Sequence, residues 1–153
     1  IMRERSQKYK GKYTPEYPAK YMGDVDNITY RSGWERRAMK YFDINPGVLQ
    51  WASEEVVIPY YDSMTKKVRR YFPDFLIKVR TKDGKLRTHL IEVKPTKDMR
   101  PPVGGKGKKK STVLYEMKTY QMNRDKFASA RKWCDDRNII FDIWTEKHLR
   151  QKG

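Results

Sequence analysis

Residues 71–94 read YFPDFLIKVRTKDGKLRTHLIEVK, and the register of this stretch decides the fold. Two β-rich runs, 71–80 and 86–94, flank Asp83-Gly84, a hairpin signal. One acid interrupts the apolar part of each run: Asp74 sits before Phe75-Leu76-Ile77, and Glu92 follows Leu90-Ile91. A carboxylate in a half-buried strand needs a partner, because burying an unpaired charge is expensive. Ion pairs from Asp74 to Arg70 and from Glu92 to Lys94 would satisfy each acid separately. The parity of the hairpin favours a shared role. A two-residue Asp83-Gly84 turn would set Asp74 opposite Val93, on the other face from Glu92. A three-residue Lys82-Asp83-Gly84 loop, with Gly84 left-handed as a G1 bulge, sets Asp74 directly across from Glu92. Lys94 then shares their face. Opposed carboxylates with Cβ atoms about 5 Å apart repel each other. A divalent cation turns that repulsion into binding, and ligands of oxygen alone suit Mg²⁺ or Mn²⁺.

Outward from the hairpin, Ser32 and Glu35 form a capping box that opens a helix. Trp34, Ala38, Tyr41 and Phe42 give that helix a buried face, and Asn45-Pro46-Gly47 ends it. A first strand is expected over residues 55–60, near an edge or bulge because of Pro59. After the hairpin, residues 95–111 (PTKDMRPPVGGKGKKKS) carry six positive charges among Pro and Gly, which predicts a mobile basic loop. An interrupted apolar stripe (Val113, Met117, Tyr120, Phe127, Trp133 or Cys134) predicts a helix over about 112–136 with a break near Asn123. A strand at 139–144 and a short helix capped by Thr145 close the chain. The order is α-β-β-β-α-β, a single domain over 29–150.

Residues 1–28 do not read as core. Tyr9, Tyr13, Tyr17 and Tyr21 recur every four positions, but Pro15 and Pro18 fall between them and break any helix. They form either a basic, Tyr-rich arm that clamps nucleic acid through Lys8, Lys10 and Lys12, or a segment packed back over the domain. Met2 reads as the natural start of the chain.

The 153 residues carry 35 Lys and Arg against 19 Asp and Glu, a net charge of +16. Such an excess makes a polyanion the natural partner. Lys97, Arg100, Lys106, Lys108, Lys109 and Lys110 follow closely on Lys94, placing phosphate-binding cations beside the acid pair. They position DNA without reading its sequence. Eleven Tyr, 5 Phe and 4 Trp argue against full disorder. One Cys, Cys134, excludes an intrachain disulfide framework and a multi-cysteine zinc site. His89 reads as structural and His148 as exposed; Gln121 and Lys126 either touch substrate or belong to a solvated face. With no apolar run of membrane-spanning length and no signal-peptide pattern, a soluble, intracellular protein without membrane contact is expected.

Pro73-Asp74 followed by Glu92-Val93-Lys94, on this order of elements, resembles the PD-(D/E)xK nuclease superfamily. Tyr30-Arg-Ser-Gly-Trp-Glu35 is similar to the acidic first helix of its transposon-endonuclease-like branch. Over its whole length the chain also resembles the nucleases with which T-even tailed phages complete filled heads before tail joining. The resemblance implies a restriction-endonuclease-like α/β fold, a central mixed four-stranded sheet flanked by helices, and hydrolysis of DNA phosphodiester bonds. It implies that Asp74, Glu92 and the Val93 carbonyl hold the metal, that Lys94 orients or deprotonates the attacking water or stabilises phosphate charge, and that Glu35 completes or buffers the site. It further implies phage capsid, portal or neck proteins as partners, in the host cytoplasm or on the virion. A DNA-binding joining protein with an incidental nuclease fold explains the charge but leaves the Asp74–Glu92–Lys94 register as coincidence. An RNA-binding protein fits the composition but lacks aromatic RNP-type strands.

Overall fold

The computed structural model of the chain describes residues 10–152 except 106. Its helices are α1 (Gly33–Ile44), α2 (Lys110–Asp135) and α3 (Glu146–Lys152). Its strands are β1 (Gly11–Lys12), β2 (Thr29–Tyr30), β3 (Val48–Ser53), β4 (Ile58–Asp62), β5 (Lys67–Tyr71), β6 (Phe75–Arg80), β7 (Leu86–Val93) and β8 (Ile140–Trp144). The central sheet runs β3-β6-β7-β8, antiparallel up to β7 and parallel between β7 and β8. A parallel neighbour requires a crossover, which α2 supplies.

Two apolar layers sandwich the sheet. Ala38, Met39 and Phe42 of α1 and Leu149 of α3 pack on Trp51, Phe75, Ile77 and Ile91. On the other face Phe127, Ala130 and Cys134 of α2 pack on Leu90, together with Ile58, Tyr60 and Tyr71. Leu90 and Ile91 thus face opposite ways, so Glu92 falls on the α2 side by strand alternation.

The β6–β7 hairpin takes the expected register, from Phe75 opposite Ile91 to Arg80 opposite Leu86. Gly84 N–H donates to the Thr81 carbonyl at 2.9 Å, and Thr81 N–H donates to the Lys85 carbonyl at 2.8 Å. Gly84 has φ +82°, a left-handed conformation that costs a side-chain-bearing residue strain. The three-residue loop with its glycine bulge is therefore what sets the parity of the two acids.

Several sequence expectations change. The first strand of the sheet is Val48–Ser53, not 55–60; Ile58–Asp62 instead pairs with Lys67–Tyr71 in a separate hairpin. Pro59, which has no N–H to donate, fits that two-stranded ribbon better than a central ladder. The run 71–80 is split, since β5 ends at Tyr71 and β6 begins at Phe75. Pro73 lies in the break. Helix α2 is continuous through Asn123, because residues 110–135 contain neither Pro nor Gly to interrupt it. Met117, expected on the apolar stripe, is exposed.

Residues 10–28 lie against the domain. Gly11–Lys12 pairs with Thr29–Tyr30, and Tyr21 and Trp51 meet edge to face at 4.7 Å. Asp43, fully buried at 0% exposure, anchors the segment. It accepts from the Tyr13 hydroxyl at 2.7 Å, Glu16 N–H at 2.7 Å and Tyr17 N–H at 3.0 Å. Lys20 Nζ donates to the carbonyls of Asp43 (2.7 Å) and Asn45 (2.9 Å), which closes the end of α1. Among the described residues no helix is long and apolar enough to cross a membrane.

Candidate active site

The site lies where β6 begins and β7 ends. Asp74 Oδ2 accepts the Val93 N–H at 2.8 Å, which ties the start of one strand to the end of the other. Glu92, only 6% exposed, accepts the Tyr71 hydroxyl on Oε1 at 2.7 Å. Its Oε2 lies 3.5 Å from Lys94 Nζ. The fold therefore brings Asp74, Glu92 and Lys94 together. The structural ion pair from Glu92 to Lys94 is present. The one from Asp74 to Arg70 is not formed, and Arg70 lies over the Phe72 ring at 5.7 Å.

Electrostatics marks this cluster as over-supplied with negative charge. Burial drives the Asp74 carboxyl well above its usual range, and the charges of Glu92 and Glu35 push it the same way. Burial likewise raises Glu92, opposed by Lys94 and by the Tyr71 hydroxyl. Glu35 is raised by burial, with Glu54 and Glu92 adding to the effect. Burial raises both carboxyls and the charge of Glu92 adds to the rise at Asp74, so the pair is a natural seat for a positive ion. Mg²⁺ binds through one or two carboxylates while retaining waters, so the Asp74–Glu92 pair fits its demands. Among the described residues no group of three His, Cys, Asp or Glu side chains forms a ready cation cage.

Glu35 reaches this neighbourhood from the first turn of α1. Ser32 Oγ accepts its N–H at 3.1 Å, and its Oε1 accepts the Arg31 N–H at 3.2 Å. Its carboxylate thus caps the helix while its charge is felt at Asp74. Arg31 forms an ion pair with Glu54, whose own N–H donates to the Asp74 carbonyl at 3.0 Å.

Two further residues converge here from elsewhere. Lys126 of α2 places its ammonium 5.8 Å from the Tyr60 ring centre and 5.6 Å from that of Tyr71. Burial and the nearby Lys94 lower its pKa, while Glu92 and Asp74 hold it up. Lys126 thus turns toward the site, whereas Gln121 is engaged by Asp125 at 3.0 Å. Tyr71 is not evident from the sequence, because nothing in the run to Asp74 marks its hydroxyl as a partner of Glu92. Its one local signal is a tyrosine three residues before Asp74.

The candidate phosphate-binding cations divide. Lys97, Arg100, Lys108, Lys109 and Lys110 are exposed along the connection to α2, with Lys108 held by Glu116 at 3.0 Å. Lys10 and Lys12 are exposed on the N-terminal segment. Lys8 and Lys106 lie outside the described residues. His89 Nδ1 meets Asp142 at 2.6 Å, a structural pairing, and exposed His148 accepts the Thr145 N–H at 3.0 Å. Cys134 is buried core, its thiol pushed up to about 11 by that burial.

Comparison with known proteins gives this geometry a lineage. Residues 45–146 match the family described as TnsA-like endonuclease N terminal. The chain is also 38% identical over 148 residues to the head completion nuclease of Enterobacteria phage T4, covering 95% of this chain and 96% of that protein. The family match spans β3 to the start of α3 and includes Asp74, Glu92 and Lys94, while the relative extends it over α1 and Glu35. The chain belongs to the TnsA-like endonuclease N-terminal family.

Proposed function

We propose that this protein is a Mg²⁺- or Mn²⁺-dependent deoxyribonuclease that acts in phage head completion and head–tail joining. The observation that carries this reading is the juxtaposition of half-buried Asp74 and buried Glu92 with Lys94 on one hairpin face. Asp74, Glu92 and the Val93 carbonyl hold the ion, with Glu35 buffering it from α1. When bound, the ion supplies Lewis acidity and lowers the pKa of its water.

The protein's own residues supply the rest. Tyr71 and Val93 N–H fix the two carboxylates so that their oxygens do not rotate away. Lys94, drawn to Glu92, stands ready to orient the attacking water and to stabilise charge gathering on the phosphate. The net charge of +16 draws DNA in through its backbone, so cleavage is non-specific or directed by DNA structure. Capsid, portal or neck proteins are the partners this role requires, in the host cytoplasm or on the virion.

Supercoiled plasmid incubated with metal-freed protein should stay intact, and should be nicked once Mg²⁺ or Mn²⁺ is restored. If neither metal produces cleavage of linear, nicked or branched DNA, the enzyme reading fails and a DNA-binding joining protein takes its place.

Two narrower outcomes follow from the same reading. Tyr71→Phe removes only the hydroxyl that holds Glu92 Oε1. Loss of a hydrogen bond to a metal ligand typically costs about 10–100-fold, so half-saturating Mg²⁺ should rise by about tenfold while DNA binding stays. An unchanged metal dependence would reduce Tyr71 to packing. Neutralising Lys106, Lys108, Lys109 and Lys110 together should weaken DNA binding and flatten its salt dependence, by about 0.9 log–log units for each phosphate that the protein ceases to neutralise. An unaltered slope would assign that segment to a protein partner.

A further inference from the structure

A groove of about 520 Å³ runs between residues 97–103 and the N-terminal half of α2. Its chemistry is mixed: Lys97, Arg100 and Lys108 line it beside Tyr115, Tyr120 and Val103. It continues along α2 into a hollow of about 260 Å³ bordered by Arg124 and Arg131, and Asp98, Tyr120 and Asn123 line both. Asp98 and Glu116 are the acids present, and Glu116 is already paired with Lys108. Two of its walls lie close in the chain to residues of the candidate active site. Lys97 follows Lys94 by three residues, and Asn123 precedes Lys126 on α2 by one helical turn.

The tyrosines indicate what such a groove takes. Tyr115 is 71% exposed, and Tyr120 lies under the Arg124 guanidinium at 6.0 Å. Aromatic rings next to phosphate-binding cations are the means by which proteins hold unpaired bases, stacking each base while cations follow the backbone. A paired duplex stacks its base faces on one another, so between its ends it has none to offer Tyr115. A single strand does.

We propose that this groove holds an unpaired DNA strand entering or leaving the site, so that the protein acts at junctions between single-stranded and duplex DNA. The proposal rests on the nuclease reading for the position of the scissile phosphate, but binding in the groove requires no catalysis.

The test therefore uses the full chain in chelator. Fluorescence anisotropy at one salt concentration compares a blunt duplex with the same duplex bearing a single-stranded flap. Wild type should bind the flap substrate about tenfold more tightly, the scale of one stacked base. Tyr115→Ala should remove most of that preference and Tyr115→Phe should retain it. A 5-iodouracil base in the flap should photocrosslink to Tyr115 or Tyr120. Equal wild-type affinity for flap and blunt DNA, equal preference in the Ala and Phe variants, or crosslinks outside the groove would each overturn the proposal. Flap preference and crosslinks without cleavage on adding metal would sink the nuclease reading while the groove assignment stands. Cleavage without flap preference would do the reverse.

Discussion

Asp74→Asn, Glu92→Gln and Lys94→Ala should each lower Mg²⁺- or Mn²⁺-dependent DNA cleavage by at least about a hundredfold while leaving the fold intact. General acid–base and water-activating groups typically contribute about 10²–10⁴-fold, and each acid removed also takes away half of the charge that offsets the ion. DNA binding should divide by sign. The two acid variants should bind equally well or more tightly, because each removes a negative charge beside a polyanion. Lys94→Ala should bind equally or slightly more weakly. A purely structural ion-pair network predicts a different pattern, with stability lost in all three variants and no split in DNA affinity. Thermal unfolding measured beside filter binding and plasmid cleavage separates the two.

Asp43→Ala should produce the largest loss of stability. Its carboxylate is fully buried and accepts three hydrogen bonds from residues 13–17, joining that segment to the end of α1. A hydrogen bond to a charged group contributes about 1.5–3 kcal/mol, and removal leaves its donors unsatisfied. Some donors regain water when the segment loosens, so the expected cost is about 3 kcal/mol overall. For a chain of this size that lowers Tm by about 6–12 °C. Lys12→Ala, at an exposed position on the same segment, should change Tm by no more than a degree or two. If Asp43→Ala costs under about 1 kcal/mol, the segment is not integral to the fold. Plasmid nicking by the folded fraction should persist, since Asp43 makes no hydrogen bond with the Asp74–Glu92 pair.

The site hairpin and the Asp43 anchor differ in how far the sequence reveals them. The turn was legible because it is local: Asp83-Gly84 marks it and Gly84 can adopt the left-handed conformation required, while the choice of a three-residue over a two-residue loop rested on Asp74, Glu92 and Lys94 sharing a face. The capped helix at Ser32 was legible for the same reason. Strand β3 was not, because its pairing with β6 shifts between Val48 and Gln50 and blurs the alternation a strand normally shows. The 55–60 run, richer in β-branched residues, drew the assignment instead. The docking of residues 10–28 depends on Asp43 meeting backbone groups some thirty residues earlier, which no periodicity encodes. Tyr71 and Lys126 gather at Glu92 only through the tertiary approach of β5 and α2. Their roles emerge only in the folded chain.

Asp74 and Glu92 together are proposed to hold the divalent ion with which this protein cleaves DNA. Manganese electron paramagnetic resonance tests that claim without relying on turnover, by counting Mn²⁺ bound to the protein in the presence and absence of a short duplex. Wild type should bind Mn²⁺ at a site that Asp74→Asn combined with Glu92→Gln eliminates, while the variant keeps the wild-type circular dichroism spectrum and still binds the duplex. If the folded double variant binds as many Mn²⁺ ions, as tightly, as the wild type, the carboxylate pair is not the metal site and the claim is contradicted.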